Sequence, residues 1–230
     1  KQESLYDDFV IYPMKSAQNA GSGSTVYSLG GITTNDMTLV NSPTWGASGL
    51  AFDGTTQAGL ISDYTGGGSV TLFARVSNQT EPASVSGDAV WGQWDSGGNA
   101  RSAAIFSYGT SQAAGTTQLA ALRSADGTST GLYLEDKVPN WATDSCRVAE
   151  WTDGGGRKAW LDKVEETLSL VIGSAQTSRF NSSSDSTFAA HSAGGTPTGF
   201  AALTGIAGAS YEGVLTTTQR EAITDYINAL

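Results

Sequence analysis

The stretch RVAEWTDGGGRKAWLD, residues 147–162, decides the fold of this chain. Residues 147–151 and 158–161 are short, apolar-rich segments of the kind that form β-strands. Between them, Asp153 and three consecutive glycines are typical of a tight turn. The stretch therefore predicts a β-hairpin, in which we expect Trp151 to point into the core and Glu150 to point outward.

The same pattern of short strands and turns continues on both sides of this hairpin. In the segment 69–76, alternation places Val70, Leu72, Ala74 and Val76 on one face. Further strands are predicted at 9–12, 50–52, 89–94, 103–107, 119–122 and 168–172. Glycine-rich clusters separate them, which favours an all-β fold, specifically an antiparallel two-sheet β-sandwich.

Two segments depart from this strand pattern. Thr218 and Glu221 have the spacing of a capping box, and apolar residues then recur at helical spacing as far as Leu230. One short C-terminal helix is therefore predicted at about 219–229. Residues 174–198 are rich in Ser, Gly and Ala and are interpreted as a long surface loop with a short strand at 187–189.

The chain is interpreted as an N-terminal arm, residues 1–8, followed by one sandwich domain, residues 9–230. A chain of 230 residues is long enough to bury a core without covalent cross-links. The single cysteine, Cys146, excludes a disulfide within the chain. The core is expected to include the following residues: Phe52, Leu72, Val76, Trp160, Leu161, Ile206 and Ile223.

The charge balance argues against two classes of partner. With 12 basic and 22 acidic side chains, the net charge is −10. Nucleic-acid binding needs a basic surface, and an anionic membrane surface would be repelled for the same reason. No stretch approaches the apolar length of a membrane span. We therefore expect neither a nucleic-acid nor a membrane partner.

Four sequence blocks, in order, resemble the laminin-G-like branch of the concanavalin A-like lectin/glucanase superfamily. They are MTLVNSPTW with GLAFDG (37–54), the strand 70–76, the hairpin 147–162, and GIAGASYEGVL (205–215) with the terminal helix. The resemblance implies a concanavalin A-like jelly roll. One departure is Lys163, where the family usually has glycine, so that this turn is expected to differ.

Segments 72–76, 90–95 and 99–102 also resemble such domains in virion proteins of tailed bacteriophages. This resemblance implies a non-catalytic virion surface protein, such as a capsid decoration, head fibre or tail-associated module. Its location would be the virion surface or outside the cell. It would act in many copies on a larger assembly, with glycans or other virion proteins as partners, and the arm 1–8 would attach it. The alternatives are a free-standing carbohydrate-binding module and, less favoured, a polysaccharide hydrolase or lyase.

The sequence lacks the residue patterns that are typical of a catalytic site. No strand carries the alternating carboxylates with which glucanases of this superfamily flank a glycosidic bond. The only histidine, His191, is interpreted as a loop residue, and Cys146 as a buried apolar residue. With one His and one Cys, a zinc site is improbable. The sequence therefore favours a protein that is not an enzyme.

Carbohydrate and calcium contacts are the remaining candidates. An aromatic platform with polar neighbours is expected at Trp94, Asp95, Asn99 and Trp141, although both tryptophans are equally compatible with a core or interface position. Laminin-G-like domains often bind calcium, and this resemblance implies Asp95, Asp126 and Asp153 as ligands. The alternative interpretation of these aspartates is turn chemistry, because Asp-Gly is a common turn dipeptide.

Overall fold

The protein is an all-β sandwich with one C-terminal helix, as predicted. The computed structural model describes residues 9–19, 21–30, 35–62, 68–80, 88–95, 100–107, 118–123, 130–135, 143–154, 156–173 and 184–230. The proposed arm, residues 1–8, lies outside the described residues.

Within the described residues, sheet A has nine strands and carries the helix on its outer face. They are β1 (Phe9–Pro13), β3 (Leu29–Gly30), β5 (Thr44–Gly46), β6 (Gly49–Asp53), β8 (Val70–Ser77), β13 (Ser145–Thr152), β14 (Gly156–Leu161), β15 (Val164–Glu166) and β20 (Ala202–Tyr211). Their order is β15-β14-β13-β8-β20-β1-β3, and β6 pairs with β20 and β5. The hairpin predicted at 147–162 is β13–β14, with Trp151 opposite Arg157.

Sheet B has eleven strands in the part of the chain that the structure describes. They are β2 (Thr25–Val26), β4 (Met37–Val40), β7 (Ala58–Ile61), β9 (Asp88–Asp95), β10 (Ala100–Ser107), β11 (Gln118–Arg123), β12 (Thr130–Glu135), β16 (Leu168–Gly173), β17 (Ser186–Phe188), β18 (His191–Ala193) and β19 (Thr196–Thr198). Their order is β16-β12-β11-β10-β9-β17-β7-β4-β2, and the hairpin β18–β19 joins β9. The β18–β9 contact is parallel, whereas the other described pairs are antiparallel.

The core between the sheets is built from the inward faces of β8, β9 and β17. Trp91 is fully buried there, and its ring lies 5.8 Å from that of Tyr12 and 5.7 Å from that of Phe188. The indole N–H of Trp91 also donates to the carbonyl of Ala209, 3.2 Å away on sheet A. This aromatic group therefore ties the two sheets together.

A second core lies between the outer face of sheet A and helix α1 (Thr217–Ala229). Alternation along β13 sends Ala149 and Trp151 into the space between the sheets, and Val148 and Cys146 toward the helix. Ile223 and Ile227 of the helix pack onto that face. Sheet A is consequently covered on both sides, and its central strands bury side chains on both faces.

Several local predictions need correction. The helix starts earlier than expected, because Thr216 rather than Thr218 is the N-cap: its hydroxyl accepts from the Gln219 N–H, and the Gln219 side chain accepts from the Thr216 N–H. Of the predicted core residues, Leu161 is only half-buried, since it ends the short strand β14 near the edge of sheet A. The other six predicted core residues are buried.

The supposed surface loop contains more structure than predicted. Within its described part, residues 184–198, the chain forms β17, β18 and β19, and Phe188 is fully buried. β17 inserts between β7 and β9 of sheet B. This segment is made mainly of small polar residues, so its strands depend on pairing with distant parts of the chain and leave little local signal.

Candidate functional site

Three rings gather on the face of sheet B that points away from sheet A. Ile105 packs into the core between the sheets, so alternation places its neighbour Phe106 on the opposite face. The ring of Trp94 meets Phe106 edge-on, with centroids 5.2 Å apart and an interplanar angle of 76°. His191 approaches the same phenylalanine, with its ring centroid 6.0 Å away. We call Trp94, Phe106 and His191 the hairpin cluster, because His191 opens the hairpin β18–β19.

Asp95 fastens the tip of this hairpin to sheet B. Its two carboxylate oxygens accept from the N–H groups of Gly194 and Gly195, at 2.8 and 3.0 Å. Both glycines have positive φ, 61° and 82°, a conformation that favours glycine and that directs the two N–H groups to one carboxylate. The Asp95 side chain therefore positions the hairpin next to the hairpin cluster.

Of the four residues predicted for a carbohydrate site, the structure describes Trp94 and Asp95. Trp94 is only 8% exposed, so its ring is not the open platform that the sequence interpretation required. Its position agrees better with the alternative of a packed aromatic. Asp95 is also buried, at 5% exposure. Asn99 and Trp141 lie outside the described residues, so the carbohydrate assignment of the set stays a prediction.

The three aspartates predicted to bind calcium are not brought together in what the structure describes. The Asp95 carboxylate holds the hairpin tip, and Asp153 is an exposed residue of the β13–β14 turn on the other sheet. Asp126 lies outside the described residues. Among the residues that are described, no group of three His, Cys, Asp or Glu side chains is placed to hold a metal ion. Calcium binding therefore stays a prediction.

Glu150 points toward the helix face, as expected from the hairpin, but it is buried there. It is 6% exposed and lies across from Lys158 on β14 and Thr71 on β8. Burial raises the pKa of its carboxyl group, although the Leu215 N–H, 3.4 Å from Oε2, and the positive charge of Arg220 favour the ionised form. A carboxyl group with a raised pKa is chemically distinctive, yet this one lies beneath the chain that leads into α1.

A second buried charge, Arg147, lies between the two sheets at 2% exposure. One guanidinium nitrogen, Nη1, donates to Oε1 of Gln79 at 2.8 Å and to the hydroxyl of Ser107 at 3.2 Å. Gln79 in turn donates to the same hydroxyl at 2.5 Å. This network joins β13 to β10 through a loop residue. The sequence carried no signal for it, because Gln79 is 68 residues from Arg147 along the chain.

Cys146 and His191, the remaining candidate catalytic residues, pack against their neighbours. Cys146 is fully buried, and burial raises the pKa of its thiol to about 12, so it stays protonated at neutral pH. His191, expected in a loop, begins β18 and packs beside Gly199, where a Cβ would meet the imidazole. In the described part of the chain, no helix has the length and apolar character needed to cross a membrane.

Comparisons with known proteins find similarity at the level of structure alone. No family model matches the sequence, and no curated protein matches it either. Among solved structures, the chain is similar to sialidases of Trypanosoma rangeli. One, in complex with 2,3-difluorosialic acid as a covalent intermediate, aligns with a TM-score of 0.61 and 15% identity. Another, in complex with 2,3-difluoro-KDN, aligns with a TM-score of 0.60 and 13% identity.

These alignments cover 95% of this chain but only 33% of each sialidase chain. The chain thus spans about a third of the length of the sialidases that it matches. The alignments with sialidases overturn the expectation of a non-catalytic virion surface protein, because the similar structures are glycoside hydrolases and show no link to a phage. At this level of identity the likeness establishes the shared β-sandwich fold, and any activity of this chain is a matter for proposal.

Proposed function

We propose that this chain is a glycan-acting β-sandwich, corresponding to one part of a sialidase-like glycoside hydrolase. The observation that carries the proposal is the alignment of nearly the whole chain with a third of the T. rangeli sialidase chain, at a TM-score of 0.61. The finer fold assignment, a laminin-G-like and concanavalin A-like sandwich, is supported by the order of the four sequence blocks described above. Both lines of support favour a carbohydrate ligand.

Sialylated glycans are the first substrate class to test. The similar structures include sialidases in complex with sialic acid and with the inhibitor DANA. A sialic acid carries a carboxylate, and this chain has a net charge of −10. Long-range electrostatics would therefore oppose the approach of such a ligand, so recognition would depend on hydrogen-bond donors at the site rather than on charge steering.

The surface that we propose for the glycan is the hairpin β18–β19 over the hairpin cluster. His191 is half-buried and offers a ring, and Thr196 and Thr198 offer hydroxyl groups beside it. Aromatic rings with polar neighbours suit the mixed apolar and polar faces of a sugar. In this arrangement Trp94 supports the site from within rather than stacking directly on the ligand.

The proposal is tested by measuring binding and turnover on the same protein sample. Calorimetric titration with 3′-sialyllactose, 6′-sialyllactose and lactose measures binding, and a fluorogenic sialoside measures hydrolysis. We expect saturable binding of at least one sialylated sugar, with or without hydrolysis, and weaker binding of lactose. Neither binding nor hydrolysis of any sialylated sugar would contradict the proposal.

A further inference from the structure

Among the described residues, two aspartate–glycine pairs occupy exposed turns but differ in how the structure holds them; a third pair, Asp126–Gly127, lies outside the described residues. The two described pairs are Asp53–Gly54, after β6, and Asp153–Gly154, in the turn between β13 and β14. In any such pair, the backbone nitrogen of the glycine can attack the aspartate side-chain carbonyl carbon and close a five-membered ring. Glycine permits this because no side chain obstructs the attack. The two pairs therefore provide an internal comparison.

The Asp53 carboxylate is fully engaged by its own turn. Oδ1 accepts from the N–H groups of Thr55, Thr56 and Gln57 at 2.8, 2.9 and 3.1 Å, and Oδ2 accepts from the Thr56 hydroxyl at 2.9 Å. Although burial opposes ionisation, these N–H groups outweigh it and hold the pKa of Asp53 well below its usual range. An ionised, immobilised carboxylate is a poor target for a nitrogen nucleophile.

The Asp153 carboxylate lacks this restraint. It makes no hydrogen bond or ion pair to any residue that the structure describes, and only its backbone N–H is held, by the hydroxyl of Ser69 at 3.0 Å. Gly154 is exposed and has a φ of +97°, and a Cβ at that position would meet nothing within 4 Å. The side chain is thus free to turn toward the Gly154 nitrogen in uncrowded surroundings.

We propose that Asp153 is a site of spontaneous isoaspartate formation in the folded protein, and that Asp53 is protected from it. In the first step, a bond forms between the Gly154 nitrogen and the Asp153 side-chain carbon, and one water leaves as a succinimide closes. In the second step, one water returns. Cleavage at the original backbone carbonyl leaves the chain running through the side-chain carbon, as isoaspartate, with no net change in mass or redox state.

The modification would alter a hairpin that the core depends on. Isoaspartate adds one methylene to the backbone path of the three-residue turn between Thr152 and Gly156, which face each other in the ladder. The next pair inward joins Trp151 to Arg157, whose guanidinium lies 4.5 Å from the centroid of the indole ring. A longer turn would disturb this register, since the pairing in a hairpin is set by the turn.

Peptide mapping of protein kept at pH 7.4 and 37 °C tests the proposal. Trypsin releases residues 148–157, a peptide whose only aspartate is Asp153, and chymotrypsin gives shorter peptides around Asp53. The aspartyl and isoaspartyl forms separate by chromatography at equal mass. We expect isoaspartate to accumulate at Asp153 at least roughly tenfold faster than at Asp53, a ratio equivalent to about 1.4 kcal/mol.

The unfolded chain is the matched control. In denaturant both aspartates lose their native contacts, and we expect their rates to converge. The variant Asp153→Glu tests whether the isoaspartate signal arises at residue 153, because the longer side chain of glutamate disfavours ring closure. Equal rates at the two aspartates in the folded protein would overturn the proposal. So would an absence of isoaspartate in peptide 148–157 of the folded protein when the unfolded chain forms it.

Discussion

The guanidinium of Arg220 lies over the indole of Trp160, with its central carbon 3.7 Å from the ring centroid. Arg220 belongs to helix α1, and Trp160 belongs to β14 near the edge of sheet A. Both residues are buried, at 8% and 2% exposure. This contact fixes the first turns of the helix to the sheet. At the other end of the helix, Arg75 donates to the carbonyl of Ile227 at 2.8 Å and pairs with Asp144.

Replacing Arg220 tests how much this contact stabilises the fold. Arg220→Met keeps an apolar stem over Trp160 and removes the charge, so we expect a loss of about 1–2 kcal/mol in the free energy of unfolding, as for a desolvated cation–π pair. Urea denaturation followed by tryptophan fluorescence measures it. Asn228→Ala, at an exposed position of the same helix, should change little. An equal loss of unfolding free energy in both variants would contradict a stabilising role for the contact between Arg220 and Trp160.

Glu150 should make stability depend on pH in a specific direction. Burial raises its pKa in the folded protein above the ordinary value of 4.5, so folding favours its protonated form. Its contribution is therefore most favourable below pH 4.5 and is lost as the pH rises through the folded pKa. Glu150→Gln should consequently stabilise the protein, relative to wild type, more at pH 7 than at pH 4.

Denaturant titrations of Glu150→Gln at the two pH values measure this difference. Glu165→Gln is the control, because Glu165 lies in the same region but its side chain is 55% exposed. We expect a smaller pH-dependent difference for it. A Glu150→Gln effect that is identical at pH 4 and pH 7 would show that burial of this carboxyl group does not control its ionisation.

Asp53 should make the stability of the protein depend on pH in the direction opposite to that for Glu150. Its folded pKa lies below the ordinary value of 3.8, so its contribution is present above about pH 3.8 and is lost as the pH falls through the folded pKa. Asp53→Ala removes the hydrogen bonds of the turn and should cost about 1 kcal/mol at neutral pH. Thermal unfolding at pH 7 and pH 2 checks this, and the difference from wild type should shrink at pH 2.

Thr56→Val is a graded control for this turn, since it removes only the hydroxyl bond to Asp53 and retains the N–H bond. Its effect should be smaller than that of Asp53→Ala. If the two variants are equally destabilised, the backbone N–H bonds to the carboxylate contribute nothing.

Lys163 illustrates a position where the sequence predicted an irregularity. Asp162 and Lys163 both have positive φ, 47° and 72°, so the turn between β14 and β15 keeps a left-handed conformation without the usual glycine. Lys163 forms an ion pair with Asp225 of helix α1. Lys163 therefore has a strained backbone conformation, and its side chain contacts helix α1.

The strain is measurable once the ion pair is removed. In an Asp225→Asn background, Lys163→Gly should stabilise the protein by about 1 kcal/mol, because glycine tolerates positive φ. In the native background the gain should be smaller, since the exposed ion pair contributes up to about 1 kcal/mol. Lys163→Ala should show no gain in either background. Denaturation midpoints that show no gain for glycine would contradict the strain.

The sequence predicted those strands and the helix that depend on local residue patterns. Alternation in 69–76 and 147–162 located β8 and the β13–β14 hairpin, and the helical spacing after residue 218 located α1. A packed position for Trp94 was one of two alternatives that the sequence left open. The burial of Arg147 was not predicted, because Gln79 and Ser107, which contact it, are distant along the chain. The short strand predicted at 187–189 corresponds to β17, whereas β18 and β19 were missed for the same reason. The functional class was wrong because motifs shared by a fold do not specify an activity.

The most direct test of the proposed function is a nuclear magnetic resonance titration of the ¹⁵N-labelled protein with 3′-sialyllactose, with lactose as the control. We expect the amide signals of Gly194, Gly195 and Thr196 to shift in a saturable way with the sialylated sugar and much less with lactose. We also expect Thr196→Ala to weaken binding without lowering the thermal midpoint. An absence of saturable shifts anywhere in the protein, together with no hydrolysis of the sugar, would contradict a glycan-acting function.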